Sequence, residues 1–188
     1  MMQLPYRFGR YTLLQRLAAG GMGEIYRARY EGEGGFSKTV AIKRVLPSHA
    51  ADTHLTSMFL DEARVLTYLQ HQNIVQVFEL GKCEEQFFIS MEYVDGIDLR
   101  RLFLHLMRGE LELPRRFLLH IIAQLLQGLD FVHRSSGPDG RPLHLIHRDL
   151  SPANILISWN GEVKITDFGI AKGFHRSEET TTVQLKGK

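Results

Sequence analysis

Residues 155–165, Ile-Leu-Ile-Ser-Trp-Asn-Gly-Glu-Val-Lys-Ile, leave the backbone few alternatives. Asn160-Gly161 favours a two-residue type I′ turn, because both central residues of that turn need positive φ. The runs on either side, Ile155-Leu156-Ile157 and Val163-Lys164-Ile165, suit paired strands. With Trp159 facing Glu162 across the turn, counting outward sets Leu156 opposite Ile165 and Asn154 opposite Asp167. Directly opposed residues hold their Cβ atoms roughly 4.5–5.5 Å apart. The turn would therefore bring one amide oxygen and one carboxylate together, both hard donors of the kind that suits Mg²⁺. Asp149 lies on the incoming loop. A surface hairpin with polar ends is the plain alternative, and the hairpin alone does not choose.

The chain has 188 residues, enough to bury a core in one domain or two small lobes. Charge is nearly balanced, 23 Lys plus Arg against 21 Asp plus Glu, which gives no argument for a nucleic-acid or membrane surface. The single cysteine, Cys83, excludes a disulfide within the chain and agrees with a reducing, cytoplasmic compartment. It is expected as a small buried or turn residue. No apolar run reaches the ~18 residues that span a bilayer. The first ten residues lack the apolar segment of a signal peptide.

Taken in order, Tyr11–Leu17, Glu24–Tyr30 and Ser37–Leu46 read as strands, the last ended by Pro47. Ala18-Ala-Gly-Gly-Met-Gly23 joins the first two. Glycines at such a turn let backbone N–H groups approach a phosphate closely; a plain glycine-rich tip fits as well. Residues His54–Gln70 predict a helix with an apolar stripe of Phe59, Ala63, Leu66 and Leu69, and Glu62 falls within it. An unpaired carboxylate on a packing face is costly. Glu62 therefore needs a partner, for which Lys43 is the candidate, or a position at the stripe's edge that reaches water. Ile74–Leu80 and Gln86–Glu92 bring the strands to five, and Tyr93–Asp98 reads as a connector. Leu99–Arg108 and, after Pro114, Arg115–Arg134 read as helices. In the second, Leu118, Ile121, Ile122, Leu125, Leu129 and Val132 predict a full packing face. Residues 170–188 are polar and carry Thr180, Thr181 and Thr182.

The glycine-rich loop Gly20-Gly-Met-Gly23, Val40-Ala-Ile-Lys43, Glu62, Met91-Glu-Tyr-Val94, His147-Arg-Asp149 through Asn154, and Asp167-Phe-Gly169 stand in that order. Together they resemble the eukaryotic-type protein kinase family, and Gly-Gly-Met-Gly-Glu-Ile-Tyr is similar to its bacterial Ser/Thr branch. The resemblance runs from Tyr11 onward and implies an α+β, bilobal kinase-like fold. Residues 11–188 would form a kinase domain incomplete at its C-terminus, after an N-terminal extension over residues 1–10. Its five-stranded antiparallel N-lobe with one main helix would cover about 11–92, the hinge about 93–98 and the first part of a helical C-lobe about 99–188.

The resemblance also implies ATP, Mg²⁺ and a protein substrate. Leu17, Ala18, Ala19, Gly20, Gly21, Met22 and Gly23 would cover the nucleotide, with Ile25, Ala41 and Leu156 sandwiching the adenine. Met91 would back the pocket, the backbone of Glu92 and Val94 would bind the adenine edge, and Asp98 would lie near the ribose. Lys43, paired with Glu62, would contact the α/β-phosphates. Asn154 and Asp167 would hold Mg²⁺, and Asp149 would orient the substrate hydroxyl and accept its proton. His147 is expected as a core histidine in an apolar column with Phe168, Leu66 and Val77. Arg148 would pair with a phosphorylated Thr180, Thr181 or Thr182, with Ser177 behind them, which allows self-association through activation-loop phosphorylation. A plain polar loop is the alternative there.

Three departures bear on activity. Ala18 stands where the family usually has glycine. Ser151 replaces a lysine that touches the γ-phosphate. The chain also stops before the family's Ala-Pro-Glu segment, which would leave a face of Arg115–Arg134 uncovered. Beside an active enzyme, an ATP-binding pseudokinase or inactive fragment is therefore a reading. A kinase-fold enzyme acting on a small molecule is another; the Gly-Met-Gly-Glu-Ile-Tyr loop and the Asp-Phe-Gly triplet argue against it. Preference for Ser/Thr over Tyr rests on the resemblance alone.

Overall fold

The computed structural model describes residues 2–20, 23–45, 57, 59–60, 63–64 and 66–168. The first lobe is a six-stranded antiparallel sheet in the order β1-β2-β3-β4-β6-β5. Its strands are β1 (Tyr6–Phe8), β2 (Tyr11–Ala19), β3 (Gly23–Glu31), β4 (Ser37–Val45), β5 (Val77–Cys83) and β6 (Gln86–Glu92). The sixth strand comes from the segment expected as a mere extension. β1 pairs with β2, and Phe8 is fully buried against Tyr11, Leu13, Tyr26 and Phe88. A short aromatic segment that turns back at Gly9 can add to the edge of β2 and cover an apolar sheet face, which its charged neighbours conceal in the sequence. Cys83 ends β5, partly buried, and that burial pushes its thiol pKa up.

β5 starts at Val77, not Ile74, because the backbone of residues 73–75 is claimed elsewhere. Val75 N–H donates to the Ile165 carbonyl (2.9 Å) and Ile165 N–H to the Asn73 carbonyl (2.8 Å). Of the helix expected over His54–Gln70, Ser57, Phe59, Leu60, Ala63, Arg64 and Leu66 are helical, and the chain turns at Thr67. Phe59, Ala63, Leu66 and Leu69 are buried as the stripe required, in one core with Val77, Ile165 and Phe168.

The second lobe holds a three-stranded sheet, β7 (Gly96–Asp98), β8 (Ile155–Ser158) and β9 (Val163–Ile165), and two helices, α1 (Leu99–Met107) and α2 (Arg115–Arg134). The connector thus ends as a strand paired with β8. Asp98 then caps α1 by accepting the Arg101 N–H at 2.8 Å.

The β8–β9 turn differs from its expected form, and the register shifts with it. Gly161 N–H donates to the Ser158 carbonyl and Ser158 N–H to the Glu162 carbonyl, both at 2.9 Å. Trp159, Asn160 and Gly161 form a three-residue loop with Gly161 at φ 87, a left-handed position at the loop's third residue. One extra loop residue moves every facing pair. Leu156 faces Lys164, not Ile165, and the Asn154 carbonyl accepts from Thr166, not from a residue-167 partner.

The apolar stripe of α2 is split. Ile121, Gly128 and Val132 are buried, and Gly128 lies against Asn73 and Ile165. Leu118 and Ile122 are exposed, with Leu119 and Leu126 beside them. The full packing face expected of α2 is therefore only half buried. β9 and residues 73–75 cover one side, and among the described residues nothing covers the other. No helix among the described residues is long and apolar enough to cross a membrane.

Candidate active site

Between the lobes lies a cleft of about 310 Å³. Leu17, Ala18, Ile25 and Ala41 line it from the N-lobe sheet, Met91 and Glu92 from the end of β6, Tyr93 and Val94 from the connector, and Ala153, Asn154, Leu156, Thr166 and Asp167 from the second lobe. One end is apolar, with Ile25, Ala41 and Leu156 facing in; the other carries the polar groups. Asp98, Arg100 and Arg101 edge the opening. Asp98 is also paired with Arg101 at 3.2 Å, so its carboxylate holds α1 as well as facing the cleft.

Lys43 and Asp167 meet in the inner recess of the cleft, Nζ to Oδ1 at 2.9 Å. Lys43 arrives on β4, where its neighbours Ala41, Ile42 and Val45 are buried. Asp167 lies just past β9 at φ 53. Beyond the end of a ladder, strand alternation no longer decides a side chain's direction, and an Asp tolerates the left-handed region. This is how Asn154 and Asp167 share one cleft although they are not a facing pair. The pairing of Lys43 with Glu62 lies outside the described residues, as do Gly21, Met22, Gly169 and the threonines of residues 180–182.

Asp149 and Asn154 are joined directly. The Asn154 amide donates to the Asp149 carbonyl (2.9 Å) and carboxylate (3.4 Å), which leaves its Oδ1 as the group to face a cation. Arg148, the exposed residue before Asp149, adopts φ 59. Such a conformation costs on the order of 1–3 kcal/mol for a non-glycine residue and clusters at functional sites.

His147 supports this loop from the core. It is 3% exposed, its ring lies 4.5 Å from that of Phe168, and Leu66 and Val77 belong to the same cluster as Phe168. Nε2–H donates to the Thr166 carbonyl (3.1 Å), and Nδ1 accepts the Asp149 N–H (3.3 Å). Burial pushes its pKa below the ordinary histidine value, against the opposing pull of the Thr166 carbonyl and Asp149. Between the lowered value and about 6.5, the unfolded chain takes up a proton that the folded chain refuses. Stability contributed by His147 is thus present above pH ~6.5 and falls as the pH drops through that interval. Urea unfolding at pH 7.5 and 5.5 should show a larger loss for the wild type than for His147→Gln. Equal losses would contradict the buried neutral ring.

Of the residues expected to cover the nucleotide, Leu17 and Ala18 line the cleft, while Ala19, Gly20 and Gly23 stand at the turn beyond it. Gly20 N–H donates to the Gly23 carbonyl at 2.9 Å and closes that turn. Some cleft residues carried no sequence signal. Val75 and Thr166 line it, yet they read as ordinary strand positions. A partly buried tie between the lobes was also missed: Lys164 Nζ bonds both oxygens of Glu92, at 2.8 and 3.0 Å. Its only trace is a lysine inside an apolar run.

The site fits a nucleotide with a hard cation. It offers an apolar slot, a lysine at the inner end, and two oxygen donors, Asn154 and Asp167. Among the described residues no three His, Cys, Asp or Glu side chains form a self-sufficient metal cage, and Mg²⁺ held partly by phosphate oxygens needs none.

Residues 11–186 match the model of the protein kinase domain family. The chain is 40% identical over 181 residues to tyrosine-protein kinase MasK of Myxococcus xanthus, covering 96% of this chain and 28% of that protein. It is 32% identical to serine/threonine-protein kinase PrkC of Bacillus subtilis, covering 95% and 25%. The chain thus spans about a quarter of the length of these curated relatives. The crystal structure of the Mycobacterium tuberculosis PknI kinase domain superposes with a TM-score of 0.66 at 31% identity, over 90% of this chain and 64% of that one. An apo form of PpkA-294, at 21% identity, shares the fold with a TM-score of 0.73 over 96% of this chain and 66% of its own. With residues 11–186 of this chain matched by the family model and the two-lobed architecture in place, this chain belongs to the protein kinase domain family.

Proposed function

We propose that the cleft binds ATP with Mg²⁺ and that the protein transfers the terminal phosphoryl group to serine or threonine hydroxyls of protein substrates. The observation that carries this reading is the Lys43–Asp167 pair at the inner end of the cleft, beside the apolar slot of Ile25, Ala41 and Leu156, with Asn154 on the same wall and bonded to Asp149. Ile25, Ala41 and Leu156 hold the base. The Glu92 N–H already donates to the Gln76 carbonyl (2.8 Å), so the adenine edge meets the remaining backbone groups of Glu92 and Val94. Lys43 contacts the α/β-phosphates, and Asn154 and Asp167 hold the cation. Mg²⁺ supplies neutralisation of charge on the phosphate oxygens. Asp149, fixed by Asn154 and by the histidine behind it, orients the acceptor hydroxyl and takes its proton. Phosphorylation of residues 180–182 by a second copy would give Arg148 an anionic partner. The reducing compartment suited to the single cysteine is the cytoplasm.

The test is incubation with Mg²⁺ and γ-labelled ATP, a general protein acceptor, and acid hydrolysis of the product. Label in phosphoserine and phosphothreonine is expected. Label confined to phosphotyrosine, the specificity in the name of tyrosine-protein kinase MasK, would move the acceptor class and keep the chemistry. Nucleotide binding without any transfer would reduce the protein to a binding module.

A further inference from the structure

The ladder of β3 and β4 sets Ile25 opposite Lys43 and, one rung away, Glu24 opposite Arg44. Successive residues of a strand point to opposite faces. Ile25 and Lys43 face the cleft and its recess; Glu24 and Arg44 lie on the sheet's outer side, and both are largely buried. There the Glu24 carboxylate accepts from three strands at once. Arg16 of β2 reaches Oε1 at 3.2 Å. Tyr26 of β3 donates its hydroxyl to Oε2 at 2.7 Å, and Arg44 of β4 donates to the same oxygen at 3.3 Å. Arg44 is itself held by the Tyr26 ring, 5.1 Å from its guanidinium carbon. Burial alone would push the Glu24 carboxyl up, yet the hydrogen bonds from Tyr26, Arg16 and Arg44 hold it below its ordinary value.

This cluster stands at the root of the glycine-rich turn. Gly23 immediately precedes Glu24, and a Cβ on Gly23 would lie 2.3 Å from the Arg44 carbonyl oxygen, so the turn is pressed onto the backbone of Arg44. The β2–β3 ladder also shifts register between Arg16 and Ala18. An irregular ladder sets the pitch of its turn less firmly than a regular one, and side chains are left to set it. We propose that Glu24, gripped by Arg44 and Arg16, is a positioning residue that fixes the glycine-rich turn over the nucleotide phosphates. This rests on the cleft being the ATP site. The clamp acts from outside the cleft and touches no part of the nucleotide. Its effect falls on the phosphates, which the turn covers, and not on the base, which Ile25, Ala41 and Leu156 hold.

That division gives the test. Glu24→Gln keeps the shape and removes the charge that the two arginines grip. Calorimetric titration of the whole chain should show ATP–Mg binding weakened about tenfold, the scale of one lost charge-assisted hydrogen bond, with adenosine binding unchanged. Arg16→Met removes the exposed arm of the clamp and should show the same selectivity at smaller amplitude, whether or not Glu24→Gln folds. Arg44→Lys keeps a cation opposite Glu24 and should bind ATP better than Arg44→Met. Equal weakening of ATP and adenosine would overturn the proposal in favour of a merely structural cluster, and so would no change in either. A wild-type chain that bound neither ligand would overturn the reading of the cleft itself, and the clamp with it.

Discussion

Asp149→Asn should lower phosphoryl transfer by about 10²–10⁴-fold, the usual contribution of a positioned general base, while ATP–Mg affinity stays nearly unchanged. The substitution is close to isosteric. Asn154 can still donate to the residue-149 carbonyl, and His147 still accepts its N–H. What disappears is a carboxylate able to take the proton of an acceptor hydroxyl. Single-turnover measurement of labelled phosphate transfer reads the chemical step, and a nucleotide titration on the same sample reads binding. Transfer at the wild-type rate would remove Asp149 from its role. Loss of nucleotide binding as well would show that the loop between His147 and Asn154 had come apart.

Asp167→Asn should act at an earlier point. Its carboxylate accepts from Lys43 through Oδ1 and is proposed to share the cation with Asn154. Replacing it by an amide removes the only anionic donor of that pair, and a neutral oxygen holds Mg²⁺ poorly. For the wild type, ATP affinity should rise sharply with added Mg²⁺, and EDTA should abolish transfer. For Asp167→Asn the Mg²⁺ dependence of ATP binding should flatten, and transfer should fall by about 10²–10³-fold, the scale of one lost electrostatic stabiliser. The measurement is a series of ATP titrations at increasing Mg²⁺. An unchanged Mg²⁺ dependence would mean that the cation is held elsewhere. The lost partner of Lys43 should also lower thermal stability, since a largely buried ammonium loses an ion pair.

Much of this candidate site was legible in the sequence. Lys43, Asp149, Asn154 and Asp167 stand out because charged or amide residues beside apolar runs need a reason, and their order along the chain matches one family. α2 was legible to its last residue, since a 3.6-residue apolar period with proline before it admits few other structures. Other features escaped for stated reasons. β1 is three residues long, too short to show alternation. The Asn73 side chain, 1% exposed, bonds the Val163 carbonyl at 2.9 Å and Gln124 at 2.8 Å, but both partners are remote in the sequence. The apolar stripe of α2 said that a face wanted burial, and could not say which half β9 would reach.

By itself, the amino-acid sequence determined most of the strands and helices, β1 and β7 excepted, and which side chains are candidates for the chemistry. Those properties follow from local propensity, periodicity and residue type, all of which act over a few residues. Only the tertiary structure decided how the pieces meet. The β8–β9 hairpin is the sharpest case. Asn160-Gly161 correctly marked a turn, yet Gly161 took the left-handed position of a three-residue loop and displaced every facing pair by one. Asn154 and Asp167 still share the cleft because the chain leaves its ladder at Asp167 and turns there, beside Lys43 of the other lobe. Which loop a turn sequence adopts depends on what its strands pack against, and for β8 and β9 that is β7 and the backbone of residues 73–75, far away along the chain.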